Sequence, residues 1–466
     1  MTKFSDTICA PATSVGTGAV SIIRLSGPGT LEVLDKLVVF RSGTASGSRG
    51  YRVKYGSVPG LDEVLIMLFR APHSYTGEDA AEISFHASPY IAAQLLERLA
   101  GAGCRMAEPG EFTRRAFLNG KMDLAQAEAV ADVIAASSEA QHRVAMNQLR
   151  GGYSAELRSI RSQLLELASL LELELDFSEE DVEFADRSRL RGLLDSATAR
   201  CRRLADSFRL GNAIRNGFPV AIVGAPNSGK STLLNALLRD DRAIVSDIPG
   251  TTRDTVEETC VIGGVLFRFI DTAGLREASD EVERLGIERS FRAMGQAQIV
   301  FGVVDLSAPP AILEEENRRI LGRMDAGSQK LVLLANKCDK LGVNKNVNVV
   351  NEIVSSSDYK DIDAIVLEMS AKTGFGLEKL RSVLPGLADP GASGGDTLVT
   401  NVRHAAALRD AAAALAAVSD GMDQGLPSDL LAEDLRTAIT HLGSITGQIS
   451  TDEVLGEIFS KFCIGK

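Results

Sequence analysis

The eight residues Gly224-Ala225-Pro226-Asn227-Ser228-Gly229-Lys230-Ser231 form a loop that works only between a β-strand and an α-helix. Phe218-Pro219-Val220-Ala221-Ile222-Val223 before it reads as a strand, and residues 232–238 after it as a helix. This is GxxxxGK[ST] in the strand–loop–helix context of a P-loop α/β domain. Its glycines let backbone N–H groups curl around phosphates, and the helix N-terminus adds positive potential. Lys230 is expected to reach the β- and γ-phosphates and Ser231 to ligate Mg2+. Gly224, Asn227, Ser228, Gly229 and Thr232 complete the phosphate-binding set, Ser228 and Pro226 mainly by shaping the loop.

Further motifs follow in the order that a guanine-nucleotide site requires. Asp271-Thr272-Ala273-Gly274 comes after a strand expected over 265–270 and supplies an acid near Mg2+ and a glycine N–H for the γ-phosphate. Asn336-Lys337-Cys338-Asp339 comes after a strand expected over 330–335. A carboxylate at Asp339 accepts from guanine N1–H and the 2-amino group, a donor pair that adenine lacks, so the nucleotide is GTP. Lys337 is expected to pack its stem along the base. Ser370-Ala371-Lys372 lies where guanine O6 meets a backbone N–H. The residue after DTAG is Leu275, where Ras-like switches place a water-orienting Gln. Catalytic help is therefore sought among Arg253, Arg276, Glu281, Glu283 and Arg284. A transition-state cation is also needed, either an arginine or a metal ion held by Asn227 and the 246–250 loop.

The chain has 466 residues, enough for about three domains. Residues 1–121 alternate strand-like and helix-like pieces, an α+β unit with buried strands over 19–25, 64–69 and 81–86, a helix over 90–100 and a polar loop over 43–50. From 122 the pattern turns helical, with Leu157, Ile160, Leu164, Leu167 and Leu171 as a packing stripe. After a loop at 389–396, helices are expected over 402–419 and 430–442. They need an apolar partner, and the earlier helical segment offers one. The architecture expected is therefore multidomain: an N-terminal α+β domain (1–121), a helical domain in two parts (122–216 and 386–466), and an inserted α/β P-loop domain (217–385).

Six scattered cysteines, with no CxxC pair, argue against a disulfide framework or a zinc site and suit a reducing cytosol. No run approaches the about 18 apolar residues of a membrane span. The net charge of −12 is unlike that of a protein gripping nucleic acid with its whole surface. If the chain acts on RNA, it must use a local patch or borrow a basic partner.

Gly250-Thr251-Thr252-Arg253-Asp254 and Asp271-Thr272-Ala273-Gly274-Leu275-Arg276-Glu277 resemble the tRNA modification GTPases of the MnmE/TrmE type. The resemblance spans the chain. It takes in Ala10-Pro11-Ala12-Thr13, Ile23-Arg24-Leu25-Ser26-Gly27, Ser74-Tyr75-Thr76-Gly77-Glu78-Asp79, the run from Pro109 to Lys121, and the terminal Phe462-Cys463-Ile464-Gly465-Lys466. It departs at His86-Ala87-Ser88-Pro89, where the family often has paired glycines. The resemblance implies a homodimer whose folate-binding-like N-terminal domain holds a tetrahydrofolate derivative. A flavin-dependent, MnmG-like partner would join it in placing an aminomethyl-type group at C5 of the wobble uridine of certain tRNAs. It implies folate contacts at Arg24, Glu82, Lys121 and Lys466, and a modification role for Cys463. It implies K+ in place of an arginine finger, on Asn227, Ser246, Ile248 and Thr251. Thr252 would join Ser231 on Mg2+, Thr251 would also line the nucleotide, and Glu283 would position the water. The competing reading is a ribosome-assembly or regulatory GTPase whose N-terminal domain only dimerises.

Overall fold

The structure, a computed structural model, describes residues 4–14, 16–176, 187–241, 257–270, 291–340, 364–388, 397–449 and 451–460, with single positions 348, 350, 352, 362, 462 and 465. It divides into two compact units, Met1–Ala131 with Gln148–Phe184 and Leu426–Lys466, and Asp132–Asn147 with Ala185–Gly425.

The first unit is built on a seven-stranded sheet of β1 (Thr7–Pro11), β2 (Val20–Ser26), β3 (Val39–Phe40), β4 (Arg52–Val58), β5 (Asp62–Phe69), β6 (Ala80–His86) and β7 (Cys104–Met106), in the order β3-β4-β5-β6-β2-β1-β7. All neighbours run antiparallel except β1 and β7. Ile23, Leu25, Ile66, Leu68 and Ile83 pack with Leu34, Leu95 and Leu99, which belong to the helices Thr30–Leu37 and Pro89–Gly101. The apolar run in β5 reads from sequence as buried throughout. The structure buries Val64, Ile66 and Leu68 but leaves Leu65 48% exposed, because an antiparallel sheet covered on one face sends alternate side chains outward. Within this unit the helix Gly152–Asp176 packs along Ser428–Thr446. Leu157, Ile160, Leu164, Leu167 and Leu171 are all buried, as their spacing predicts.

The second unit carries a six-stranded sheet of β8 (Phe218–Val223), β9 (Glu258–Ile262), β10 (Val265–Phe269), β11 (Ile299–Asp305), β12 (Lys330–Asn336) and β13 (Ala364–Glu368), in the order β13-β12-β11-β8-β10-β9. Only the β9–β10 pair is antiparallel. Side chains alternate across both faces. Val220 and Ile222 meet Leu233 and Leu237 of the helix Lys230–Asp241, while Ala221 and Val223 meet Leu313 and Ile320 of the helix Pro310–Leu321. Covering both faces is what lets parallel strands persist. In the same unit the helix Arg187–Asp206 packs along Val402–Asp423. The two helices expected over 402–419 and 430–442 run longer than expected: the first stops before Gly425 (φ +68°) and the second at Gly447 (φ +78°), left-handed positions that suit glycine, and a further helix, Asp452–Ser460, follows.

Candidate functional site

In a parallel sheet the chain leaves every strand on the same side, and ligands collect where strand order reverses. β8 is that point here, with β10 on one flank and β11 on the other. The loop after β8 runs from Gly224 to Gly229, and the helix begins at Lys230, two residues before the start expected from sequence. Gly224 (φ +151°) and Gly229 (φ +103°) adopt backbone that side chains avoid. A Cβ on Gly224 would strike the Val303 carbonyl, and one on Gly229 would strike Asn336 Nδ2. The loop is therefore locked against its neighbours and needs glycine for space as well as for torsion. Lys230 Nζ donates to the Gly224 and Ala225 carbonyls at 3.0 and 2.7 Å, which holds the ammonium over the loop.

The base side is assembled from the ends of β11, β12 and β13. Asn336 Nδ2 donates to the Ser228 carbonyl at 2.7 Å, and Asn336 Oδ1 accepts from Ala371 N–H at 2.9 Å. The Ala371 N–H expected to face guanine O6 is thus engaged by Asn336, and a base carbonyl would share that donor. Lys337, at φ +66°, sends its Nζ to the Asn227 carbonyl and to Asp305 Oδ2, both at 2.6 Å. Its head is therefore tied to the phosphate loop and to the end of β11. Burial pushes the Asp305 carboxyl up, but bonds from Lys337 and Ser307 outweigh it and hold the group below its ordinary range. A hydrogen bond from Ser370 likewise holds the exposed Asp339 carboxyl down, so it is an anion and an acceptor at neutral pH. Asn227, Gly229, Thr232, Asn336, Asp339 and Ser370 line part of a cavity of about 290 Å³. Ser231 lies in the first turn of the helix. Asp305 was not singled out in the sequence. It sits 32 residues from Lys337 in the chain, and only strand register at Asp305↔Asn336 makes them neighbours.

Ser246, Ile248, Thr251, Thr252, Asp271, Thr272, Ala273, Gly274 and Glu283 lie outside the described residues, as do Leu275 and the other catalytic candidates Arg253, Arg276, Glu281 and Arg284.

The family description "MnmE helical domain" matches residues 124–463, and "GTP-binding protein TrmE N-terminus" matches residues 7–121. A tRNA modification GTPase MnmE from Parabacteroides distasonis is 48% identical over 99% of this chain and 100% of its own length. One from Bacteroides fragilis is 49% identical over 99% of each. The chain belongs to the MnmE family. It is a GTPase, with the P-loop sequence between a strand and a helix and a mostly parallel α/β sheet. Among solved structures, Era from Aquifex aeolicus bound to GDP.AlF4- overlaps 42% of this chain and 65% of that one at 25% identity and a TM-score of 0.26, too partial a match to argue from.

A second group of polar residues gathers in the first unit of this MnmE-family chain. Arg24 on β2 and Glu82 on β6 face each other in register, and Arg24 Nε and Nη2 both donate to Glu82 Oε1, at 2.9 and 2.7 Å. The guanidinium stands 5.6 Å from the Tyr75 ring centre and 5.8 Å from that of Phe112. Its Nη1 donates to the Gly465 carbonyl at 3.2 Å, across 441 residues of chain. Phe462 packs with Phe459 and Leu455 of the preceding helix Asp452–Ser460 and with the sequence-distant Leu124. Lys121 is not bonded to this pair: its Nζ donates to the Pro72 carbonyl at 3.0 Å, and its stem runs past Gly77. Cys463 and Lys466 lie outside the described residues.

Proposed function

We propose that this chain is a K+-dependent GTPase acting on tRNA. With a flavin-dependent MnmG-like partner it installs an aminomethyl-type group at C5 of the wobble uridine, position 34. A tetrahydrofolate derivative supplies the one-carbon unit. The chain works as a cytoplasmic homodimer with the domain bounds 1–121, 122–216, 217–385 and 386–466.

The phosphate loop with Lys230 binds the nucleotide's phosphates, and Asp339 reads guanine. Ser231 and Thr252 hold Mg2+, with Asp271 beside it. Glu283 orients the attacking water, a task beyond the apolar Leu275. Asn227 fits a role in holding K+. Its backbone is fixed at φ +60° and its carbonyl is tied by Lys337, while its side chain makes no hydrogen bond among the described residues. Ser246, Ile248 and Thr251 complete that set. A monovalent cation there would offset charge developing on the phosphates, the part an arginine finger plays elsewhere.

The observation that carries the folate reading is the Arg24–Glu82 pair with Gly465 seated on it. Glu82 spends only Oε1 on Arg24, which leaves Oε2 without a partner among the described residues, able to accept from the donor edge of a pterin. Tyr75, 36% exposed, provides a flat ring face beside Arg24, and the buried Phe112 backs the guanidinium. Lys121 and Lys466 are suited to the acidic tail of a folate. Gly465 brings the terminal segment to the same strands, which supports a place for Cys463 in the modification step. Cells lacking this protein should yield tRNA whose position-34 uridine lacks the C5 group by nucleoside analysis. A normal complement of that nucleoside would sink the reading.

A further inference from the structure

From Lys36 to Leu61 the chain carries five cations, Lys36, Arg41, Arg49, Arg52 and Lys54, and no carboxylate, within a protein of net charge −12. The structure folds part of this stretch into a cleft of about 400 Å³ at the β3–β4 edge of the first sheet. Arg41, Ser48, Arg49, Arg52, Lys54 and Tyr55 are among its lining. We propose that this cleft binds the phosphate backbone of RNA. The proposal rests on the tRNA reading above and locates its docking surface.

The cleft is a fixed frame rather than a loose loop. Asp35 accepts from the N–H groups of Ala45 and Ser46, at 2.5 and 3.0 Å. Lys54 Nζ donates to the Thr44 carbonyl and to Ser48 Oγ, both at 3.0 Å, and lies 5.1 Å from the Phe40 ring centre. Arg70 Nη2 donates to the Ser46 carbonyl at 2.5 Å. Ala45 is fully buried beneath the loop.

Against this frame the side chains of Arg41, Arg49 and Arg52 are exposed, and they make no hydrogen bond or ion pair among the described residues. The nearby acids are spent elsewhere. Asp35 holds loop amides, Asp79 is paired with Arg70, and Asp62 is paired with His86. Glu63 stands opposite Ser57, whereas Arg52 stands opposite Leu68. Three unpaired guanidinium groups around a concavity suit a run of phosphates, each of which takes the planar fork of an arginine. A planar bilayer surface cannot enter a concavity. Tyr51, 71% exposed and braced edge-on by Phe69, and Tyr55, 44% exposed, offer ring faces on which an unpaired base can stack. The acidity of the rest of the chain then works as a filter, confining RNA to one place.

Titration of the full-length chain with bulk tRNA, by filter binding between about 50 and 200 mM salt, tests this. The variant Arg41→Gln/Arg49→Gln/Arg52→Gln should bind at least about tenfold more weakly at the low-salt end, and its log–log salt slope should flatten by about 2. The corresponding triple Arg→Lys variant should keep the slope, and Arg52→Gln alone should lower it by less than about 1. GTP hydrolysis should stay at the wild-type rate in each, which reports an intact fold. Unchanged affinity and slope in the Gln variant overturn the proposal, as does a wild-type chain that does not bind tRNA. A Gln variant that loses only binding to phosphatidylserine vesicles, or to an acidic peptide, also overturns it. The nucleoside analysis above is independent: a failed titration with an altered position 34 removes this surface and leaves the tRNA reading standing.

Discussion

Asn336 spans the phosphate loop and the base loop with a single amide, donating to Ser228 and accepting from Ala371, and is itself only 2% exposed. Replacing it with alanine leaves a buried carbonyl and a buried N–H without partners, each costing about 1–3 kcal/mol. The Asn336→Ala variant should therefore bind GTP at least about tenfold more weakly and lose roughly 2–6 kcal/mol of denaturant stability. Wild-type affinity by nucleotide titration would show that the brace is dispensable. Asp339 and Asn336 differ in how they could be found. The part of Asp339 follows from the hydrogen-bonding edge of guanine and its place after a strand, both legible in the residue order. The brace needs Ser228 and Ala371 to come within 3 Å of one side chain from 108 and 35 residues away, and no local pattern encodes that.

At the scale of elements, the stripe from Leu157 to Leu171 was legible because helix geometry converts its 3,4 spacing into one face. The structure places that face in the core, along the helix Ser428–Thr446. Leu164 is fully buried in it, so Leu164→Ala removes transferred surface and opens a cavity, at a cost of about 2–5 kcal/mol. Urea unfolding followed by helix signal should show the loss. A shift under about 1 kcal/mol would mean that the helices close over the gap. Strand β5 was less legible. Its continuous apolar run carries no alternation, so its outward residues, Leu65 among them, could be told from its inward ones only once the covering helices were in place.

For the molecule as a whole, the GTPase needs a cation to complete it. Leu275 cannot hydrogen-bond water, and Asn227 is held in the phosphate loop with its side chain uncommitted among the described residues. GTP hydrolysis should accordingly be faster in KCl than in NaCl at equal ionic strength, and Asn227→Ala should lose that difference. Equal rates in the two salts, or full K+ stimulation of the variant, would remove K+ from the site. The residue order of this chain was enough to define a guanine-nucleotide site, because each motif is contiguous and backbone geometry acts over a few residues. It was enough, too, to place the motifs in a family whose tail and N-terminal strands are matched. Tertiary structure alone decided that Asp305 answers Lys337, that Gly465 closes on Arg24, and that Arg41, Arg49, Arg52 and Lys54 line a cleft in an acidic protein. Those pairings join residues 32 and 441 positions apart, and the cleft depends on how an edge strand and its loop are held. Contacts at such separations come from strand register and packing, which form only when the whole sheet does.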